Sequence, residues 1–482
     1  MQRRRATGCL LSVLLGLAAG EARAQSEQLA SCPRPKFALS RYKEDYAFLK
    51  DPACRTEIWD PLKYIPIVPS WDTYLSLGGD LRERYELLDN PDFSKADRDT
   101  DGYFLQRYMV HADLHVGEHL RGFVQLKSSL EDDRTGGPRP TDEDQLDLHQ
   151  AFGEGKVGIG DVGALSLRAG RQEVDFGSSR LVSVRESPNV RRSFDGVRAT
   201  VAAGGWQLDG IGLLSARTDR GQFDDSADYG ERLWGAYATG PVLGDALGLD
   251  LYLLGLRRDD SRFDQGTHNE QRRSIGTRIF GKPGAWDYNF EFVYQWGSFG
   301  PDDIEAWTAA SDTGYTISGI PTQPRLGLRA AVTSGDHHRT DSKLQTFNPL
   351  FPKGAYFMES ALLGPQNHMD LHPMLDLHVL ENVRATLEWD FFWRESTNDA
   401  IYRISGTPIV SGAASNDRYV GSEGGVEIAW QLQRHVEIVG NYSHFFAGPF
   451  LRDASREDVD FVAIWSESAD LIEHAGAPNG GQ

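Results

Sequence analysis

Two groups of polar residues have types and spacings that could support chemistry. His111, Asp113 and His115 alternate with other residues, so a strand would place all three on one face, as a metal site or a proton relay requires. Glu388 and Asp390 share a face in the same way and could form an acid–base pair. Each group also suits polar filling of a protein interior, and no second element accompanies either one. Interior filling is therefore the favoured interpretation.

Other reactive patterns are equally short of partners. Asp224 and Asp225 could bind a divalent cation, but a solvated acidic loop is the simpler interpretation. His337 and His338 are expected to be solvated in a loop. The chain contains neither a Gly-rich phosphate cradle nor a nucleophile elbow. The sequence thus predicts no catalytic residue, no metal site and no cofactor.

The composition excludes several classes of protein. The 482 residues include 70 Asp and Glu against 50 Lys and Arg, which argues against nucleic acid as a partner. No segment after the first 24 residues offers the run of about 18 apolar residues that a membrane-spanning helix needs. The 51 glycines and 11% aromatic residues suit strands joined by tight turns.

The elements that must position these residues are long strands. Residues 74–88, 285–297 and 383–394 alternate between apolar and polar side chains, as in Trp286 and Asp287. A period of two over a dozen residues indicates a strand. Strands in soluble sheets usually have about five or six residues, whereas strands of about ten suit a tilted crossing of a bilayer. A soluble propeller is disfavoured because no repeat of about 20 to 50 residues is visible.

The connections between these strands alternate in length. Short connections occur at 204–205 and 282–284, and long ones at 175–190, 259–270 and 336–370. Outer-membrane proteins combine short periplasmic turns with long extracellular loops. The pattern predicts an all-β fold: a transmembrane antiparallel β-barrel of about 18 strands with both ends in the periplasm.

The N-terminus has the pattern of a secretory signal. Arg3, Arg4 and Arg5 precede a short apolar run, and Ala22-Arg23-Ala24 forms an A-x-A-like cleavage site. We therefore predict the bacterial outer membrane as the location, after cleavage near Ala24. The predicted divisions are a signal peptide at 1–24, a periplasmic N-terminal segment at 25–72, the barrel at 73–467 and a polar C-terminal tail at 468–482.

The mature chain would contain two cysteines, Cys32 and Cys54. An even number of cysteines in an oxidising compartment favours a disulfide. Metal binding by two isolated cysteines is improbable. We predict that the bridge staples the Pro-rich N-terminal segment.

The inward faces of the strands would carry many charges. Arginines in a pore favour anions because the guanidinium stays charged and binds carboxylates with two donors. Carboxylates share these faces, so cross-strand pairing is an open alternative for each arginine. The arginines assigned to inward positions by strand parity are Arg82, Arg84, Arg107, Arg121, Arg168, Arg198, Arg329, Arg384 and Arg394.

Several stretches resemble the alginate-export family of outer-membrane barrels. They are spread over nearly the whole mature chain, from about residue 60 to residue 462. The resemblance implies an 18-stranded barrel whose electropositive pore passes an anionic polysaccharide. The stretches are DPLKYI (60–65), YLSLGGDLRERY (74–85), LRAGRQEVDFGSSRLVSVRESPNVRRSF (167–194), LQTFNPLFP (344–352), DFFWRES (390–396) and HFFAGPFL (444–451).

The resemblance also implies where the pore is narrowest. Its constriction candidates are Arg171, beside Gln172, and members of the run at 185–192. The alternative is that these charges only pin the loop inside the barrel mouth. The candidates in the run are Arg185, Glu186, Asn189, Arg191 and Arg192.

Three functional classes follow from these observations. The leading hypothesis is passive passage, mainly export, of an anionic polysaccharide such as alginate. A porin for uptake of small anions or acidic oligosaccharides is the alternative. An outer-membrane enzyme or adhesion barrel lacks a visible reactive group. The predicted partners are the anionic saccharide, outer-membrane lipid and lipopolysaccharide, and periplasmic export proteins.

Overall fold

Eighteen long strands form the wall of the molecule, each pairing antiparallel with its neighbour along the chain. The computed structural model describes residue 32 and residues 34–94, 102–160 and 163–469. The barrel strands are β1 (Thr73–Leu88), β2 (Tyr103–Val116), β3 (Leu120–Asp132), β4 (Asp144–Ile159), β5 (Gly163–Gln172), β6 (Phe194–Ala203), β7 (Trp206–Arg217), β8 (Ser226–Leu243), β9 (Leu247–Phe263), β10 (Gly266–Gly281), β11 (Trp286–Phe299), β12 (Asp302–Thr316), β13 (Arg325–Thr333), β14 (His368–Leu380), β15 (Val383–Trp393), β16 (Tyr419–Gln433), β17 (Val436–Ala447) and β18 (Val459–Ala469).

The last strand closes the sheet on the first. β18 pairs antiparallel with β1, from Asp80 opposite Ala469 to Leu88 opposite Phe461. Closure satisfies the backbone hydrogen bonds of both edges, which lipid cannot do. The predicted fold, an 18-stranded antiparallel outer-membrane barrel, is confirmed.

The alternating sequence pattern places polar residues inside and apolar residues outside. In β11, Asp287 and Gln295 are buried, whereas Trp286, Phe292 and Tyr294 are exposed on the outer surface. Exposed apolar side chains on this surface face lipid in a transmembrane barrel. The wall is therefore inverted relative to a soluble protein, and its polar interior is available for a channel.

The connections differ in length at the two ends, with one correction. The expected long connection at 259–270 is wrong, because β9 and β10 are joined by only Asp264 and Gln265. The polar residues of this range predict a loop, whereas β9 and β10 continue through it. Strands that project beyond the membrane meet water on their outer face, so they can be polar throughout. Residue Asp260, with a φ of 53°, lies at an irregularity in β9.

Long extracellular connections fold back into the barrel. The loops at 173–193 and 334–367 pack on inward-facing residues of β6 to β12. Val182, Phe347 and Phe351 lie in this apolar cluster, and Val182 is fully buried. Burying a side chain such as Phe351 stabilises the fold by about 2–3 kcal/mol. Apolar packing therefore holds the loops within the lumen.

The remaining elements are short. In the N-terminal segment, Cys32 and Cys54 form a disulfide. The strand Ile65–Val68 pairs with the beginning of β1. The other short elements are the helical turns Arg41–Lys43, Ala47–Lys50, Pro52–Cys54, Asp60–Lys63, Pro69–Trp71, Pro91–Phe93, Gly412–Ala414 and Pro449–Asp453, and the strands Lys343–Leu344, Ile401–Tyr402 and Pro408–Val410.

Some predicted divisions fall outside the described residues. The predicted signal peptide at 1–24 does so entirely, and the predicted tail at 468–482 does so from residue 470. Among the helices within the described residues, none is both long enough and apolar enough to cross a membrane.

Candidate functional site in the barrel lumen

Asn189 joins the loop at 173–193 to the barrel wall through several hydrogen bonds. The Asn189 amide donates to the carbonyl oxygens of Gln106 at 3.1 Å, Leu130 at 3.0 Å and Asp142 at 2.8 Å. The Ser129 hydroxyl donates in turn to the Asn189 carbonyl at 3.0 Å. Asn189 is fully buried. These bonds hold the following arginines at a defined depth in the lumen.

Replacing Asn189 with alanine is expected to loosen this loop. The change removes donors from buried carbonyl groups, which costs about 1–3 kcal/mol. Trypsin should then cleave the folded barrel after Arg185 or Arg191 faster than it cleaves the wild type. Asn382→Ala removes a comparable bond at an exposed periplasmic turn and should leave the cleavage unchanged. Equal cleavage of both variants would contradict the role of Asn189.

Three arginines gather around Glu186. Arg107 contacts the Glu186 carboxylate and donates to its carbonyl at 3.0 Å. Arg191 lies 3.0 Å from the same carboxylate, and Arg82 donates to the carbonyl at 3.1 Å. Burial alone would raise the pKa of Glu186, but Arg107, Arg191 and Arg82 lower it below its ordinary value. The carboxylate therefore stays ionised while positive charge surrounds it.

Arg82 is the unusual member of this group. Its Nε and one terminal nitrogen have no hydrogen-bond partner among the described residues, and Glu467 lies opposite it on β18. Its side chain is nevertheless buried. The carboxylates of Glu186 and Glu467 reduce the positive field of this buried guanidinium, and its unsatisfied donors are left to attract an anion. These donors favour anions in the adjoining lumen.

The N-terminal segment reaches this group from the periplasmic side. The Ser40 hydroxyl donates to the Glu173 carboxylate at 2.7 Å, and the Tyr42 hydroxyl donates to the Glu173 carbonyl at 3.2 Å. Arg191 contacts Glu173 at 2.8 Å and donates to the Leu39 carbonyl at 2.8 Å. Burial raises the pKa of Glu173, but Arg191 and a hydrogen bond from the His149 imidazole lower it to about 2. Glu173 thus joins the segment to the loop.

The Tyr42 side chain packs against the inner surface of the barrel wall. Its ring centroid lies 6.1 Å from that of Phe123 and 5.4 Å from that of Phe152, both edge-to-face. The Arg168 guanidinium lies 4.0 Å from the Tyr42 ring centroid. Phe123 and Phe152 are buried on inward faces of β3 and β4. The N-terminal segment therefore occupies part of the periplasmic half of the lumen.

A second group of cations lines the lumen between the two inward loops and the wall. Arg180 lies 3.4 Å from Glu291, and Arg329 donates to Asp312 at 3.1 Å. Lys353 in the loop at 334–367 remains partly exposed. Burial, and then Arg329 and Arg180, lower the pKa of Lys353 to about 7. This amine therefore changes charge near neutral pH.

The anion preference of the channel is expected to rise as the pH falls through 7. Lys353 is neutral above its lowered pKa of about 7 and positively charged below it. Lowering the pH from about 8 to about 6 therefore adds one positive charge beside Arg180 and Arg329. Reversal potentials in a salt gradient measure the change. Lys353→Met should reduce this pH-dependent change in anion preference. A change of the same size in the variant would show that another group titrates.

Four further predicted arginines are paired with carboxylates. Their shortest ion-pair contacts measure 2.5 to 3.5 Å, so the open alternative of internal pairing is realised at these positions. The pairs are Arg84 with Glu86 and Glu359, Arg168 with Glu154, Arg198 with Asp209, and Arg384 with Glu437.

Comparison with known protein families matches the family described as alginate export over residues 73–464. The chain belongs to the alginate export family. A comparison with curated proteins finds no significant sequence match.

Solved structures with the same fold are outer-membrane porins. OpdK of Pseudomonas aeruginosa, solved with vanillate, has a TM-score of 0.56 and 11% identity, covering 82% of this chain and 98% of that one. A BenF-like porin from Pseudomonas fluorescens has a TM-score of 0.56 and 12% identity, covering 82% and 98%. OccK2 of Pseudomonas aeruginosa, solved with glucuronate, has a TM-score of 0.53 and 12% identity, covering 83% and 97%. This member of the alginate export family is thus an outer-membrane channel.

Arg171 and Arg394 lie apart from the lumen group in this family member. Arg171 pairs with Asp195 at 2.9 Å, on the strand face that carries exposed Leu167 and Val197. Arg394 is buried within the loop at 394–418, where it donates to the Ser415 carbonyl at 2.8 Å and to other carbonyls of that loop. Both arginines stabilise local structure in these positions.

Arg185 and Arg192 lie inside the loop at 173–193. Arg185 has a positive φ of 57° and donates to the Val190 carbonyl at 3.0 Å. Arg192 donates to the Ser183 carbonyl at 3.4 Å and to the Pro352 carbonyl at 3.3 Å. Burial lowers the pKa of Arg192 well below its ordinary value. Arg185 therefore stabilises its own loop, and Arg192 connects the two inward loops.

Asp113, Glu388 and Asp390 are each held by ion pairs, and His111 stacks on Phe123. Asp113 contacts His115 at 3.1 Å and accepts from Arg121 at 2.7 Å. The two ring nitrogens of His372 contact Glu388 at 2.9 Å and Asp390 at 3.1 Å. These contacts match polar filling of the lumen.

The acidic loop at 218–225 is not simply solvated. Carboxylate oxygens of Asp144, Asp147 and Asp225 lie within 4.8 Å of one another, the only such group of metal-ligating type among the described residues. The Lys127 amine contacts Asp144 at 2.5 Å and Asp225 at 3.7 Å. Burial raises the pKa of Asp225 to about 7. The lysine supplies a cation at this cluster.

Sequence reasoning did not single out Tyr42, Arg180 or Lys353. Tyr42 lies in a segment interpreted as periplasmic, where no strand period exists to assign an inward face. Arg180 lies in one of the family-like stretches, and Lys353 directly follows another. For Arg180 and Lys353, the position within or directly after a family-like stretch was the available signal.

Proposed function

We propose that this channel passes an anionic polysaccharide rich in uronate, such as alginate, outward across the outer membrane. Membership of the alginate export family supports the polysaccharide. The cations around Glu186 and the group of Arg180, Arg329 and Lys353 support its negative charge. The bacterial outer membrane is the corresponding location.

The observation that carries this proposal is the buried guanidinium of Arg82, two of whose nitrogens have no hydrogen-bond partner among the described residues. It adds positive charge to a group in which Arg107 and Arg191 already contact Glu186. A sugar carboxylate near this group would be attracted by its three guanidinium groups and could accept from the donors that the protein leaves unsatisfied. Each contact must remain weak, because conduction requires that a bound anion also leave.

The second cation group would continue the path. The side chains of Arg180, Arg329 and Lys353 are partly exposed in the lumen. A polymer with one carboxylate per sugar could exchange contacts between the two groups without a covalent step. Electrostatic attraction and geometry are sufficient for passive passage.

Blocking of the open channel by defined saccharides tests the proposal. Uronate oligomers should interrupt the ion current of the wild type in planar bilayers at concentrations at which neutral glucose oligomers do not. The dwell time of each block should lengthen with oligomer length, because more carboxylates contact the lumen. Equal blocking by charged and neutral oligomers would reject an anionic substrate.

The second candidate is a porin for small carboxylates. One observation favours it: the N-terminal segment and the inward loops occupy much of the lumen. OpdK was solved with vanillate and OccK2 with glucuronate, which are both small carboxylates. Under this alternative, monomeric glucuronate should block as well as its oligomers, with a dwell time independent of length.

A further inference from the structure

Three arginines form a patch on the outer surface of the barrel. Arg232 in β8, Arg257 in β9 and Arg273 in β10 are all exposed. They share their outward faces with apolar residues, since Trp234, two residues from Arg232, is 43% exposed and Ile275, two residues from Arg273, is 53% exposed. The patch therefore lies on the membrane-facing side of the wall, outside the lumen.

The strand register brings these arginines together. Arg257 pairs directly with Arg232 across β8 and β9, and Gly255, two residues from Arg257, pairs with Arg273 of β10. Like charges placed directly opposite on a sheet destabilise it. An anion between them would remove this penalty.

The patch lies at the upper edge of the lipid-facing band. Arg257 is ten residues above Leu247, the periplasmic end of β9. At about 3.3 Å per residue and a tilt of about 40°, that separation is about 25 Å along the membrane normal. The apolar band of such barrels is about 25 Å tall. The arginines therefore face the headgroups of the outer leaflet.

The protein itself neutralises the patch only in part. Arg257 contacts Asp259 at 3.4 Å, but both side chains are exposed, and such pairs contribute about 0–1 kcal/mol. Arg232 donates to the Tyr229 carbonyl at 3.1 Å. Within the described ranges of the chain, neither Arg232 nor Arg273 makes an ion pair.

A surface recess adjoins Arg273. It has a volume of about 420 Å³ and is lined by Gln271, Trp296, Ser298 and Asp303 as well as Arg273. An aromatic ring beside amide and hydroxyl groups suits a sugar, which stacks its apolar face and hydrogen-bonds its edge. The acid Asp303 favours a sugar over a second phosphate in this recess.

We propose that this patch binds the phosphorylated sugar headgroup of lipid A, the outer-leaflet glycolipid. Its phosphate lies between Arg232, Arg257 and Arg273, and one sugar occupies the recess beside Trp296. Its acyl chains run down the apolar surface that begins at Trp234. The site is independent of the substrate that passes through the lumen.

Lipid binding to the purified barrel tests the proposal. Native mass spectrometry should show the wild type retaining lipid A, and Arg232→Gln/Arg257→Gln/Arg273→Gln should bind it about tenfold more weakly. The matched control is Lys156→Gln/Arg217→Gln/Arg452→Gln, which changes three exposed cations elsewhere on the chain and should bind as the wild type does.

Two lipid controls identify the chemistry. Dephosphorylated lipid A and phosphatidylglycerol should both bind the wild type more weakly than lipid A, because one lacks the phosphates and the other lacks the sugars. Binding of phosphatidylglycerol equal to that of lipid A would overturn a specific site. If the triple variant fails to fold, Arg273→Gln alone should weaken binding about threefold, and unchanged binding would overturn the proposal. Ion selectivity of the pore should remain unchanged in these variants, which separates this result from the proposed function.

Discussion

Replacing Arg82 and Arg180 together with glutamine should lower the anion-to-cation permeability ratio of the channel about fivefold. The change removes two positive charges from the lumen wall. Each charge, about 8 Å from the ion's path at an effective dielectric constant of about 80, contributes about 0.5 kcal/mol, so the two together contribute about 1 kcal/mol, which corresponds to about a fivefold ratio. Reversal potentials in a salt gradient measure the change.

The control for this prediction lies on the other side of the wall. Phe290→Leu alters an outward residue of β11 and should leave the permeability ratio unchanged. Salt screens exposed charges over about 8 Å at physiological ionic strength, so the net charge of −20 does not cancel the local field. An unchanged ratio in the double variant would mean that internal carboxylates already neutralise both arginines.

Replacing Tyr42 with alanine should raise the single-channel conductance about twofold or more, because a narrow lumen limits the current. Tyr42 holds the N-terminal segment between Phe123 and Phe152 and beneath Arg168. Losing a buried aromatic contact of this kind costs about 3–5 kcal/mol, enough to release the segment from the wall. Planar-bilayer recordings of the variant and the wild type measure the effect.

A second aromatic change separates this effect from general loosening of the segment. Phe48 packs with Tyr46 and Arg34 beside the disulfide, whereas the ring contacts of Tyr42 are with Phe123 and Phe152. Phe48→Ala should therefore leave the conductance near the wild-type value. A conductance unchanged by Tyr42→Ala, in a barrel that still folds, would show that current passes beside the segment.

The strands of the barrel wall could be predicted from local residue order. A strand has a side-chain period of two, so local order alone assigns residues such as Trp286 and Asp287 to opposite faces of the sheet. A sheet in lipid cannot leave the backbone groups of its edge strands unpaired, so long alternating strands in a membrane must close into a barrel. The inward positions of Arg82, Arg107 and Arg329 followed from the same parity.

Local order was less informative where strands leave the membrane. At 259–270, a polar run predicted a loop, yet β9 and β10 continue to a two-residue turn. At Arg171, the family-like motif indicated the pore, whereas strand parity places the side chain on the face of Leu167. Water on the outer face permits polar residues there, so composition no longer distinguishes strand from loop.

The residues that fill the lumen, and the donors that remain unsatisfied there, depend on contacts between distant parts of the chain. Asn189 binds carbonyl groups 47 to 83 positions away in the sequence, and Tyr42 binds Glu173 at a separation of 131. Contacts of this range have no local period to reveal them. Whether an arginine attracts an anion depends on the carboxylate that folding brings beside it. Arg198 donates to the Asp209 carboxylate, whereas Arg82 donates to the Glu186 carbonyl and keeps two nitrogens without a hydrogen-bond partner among the described residues.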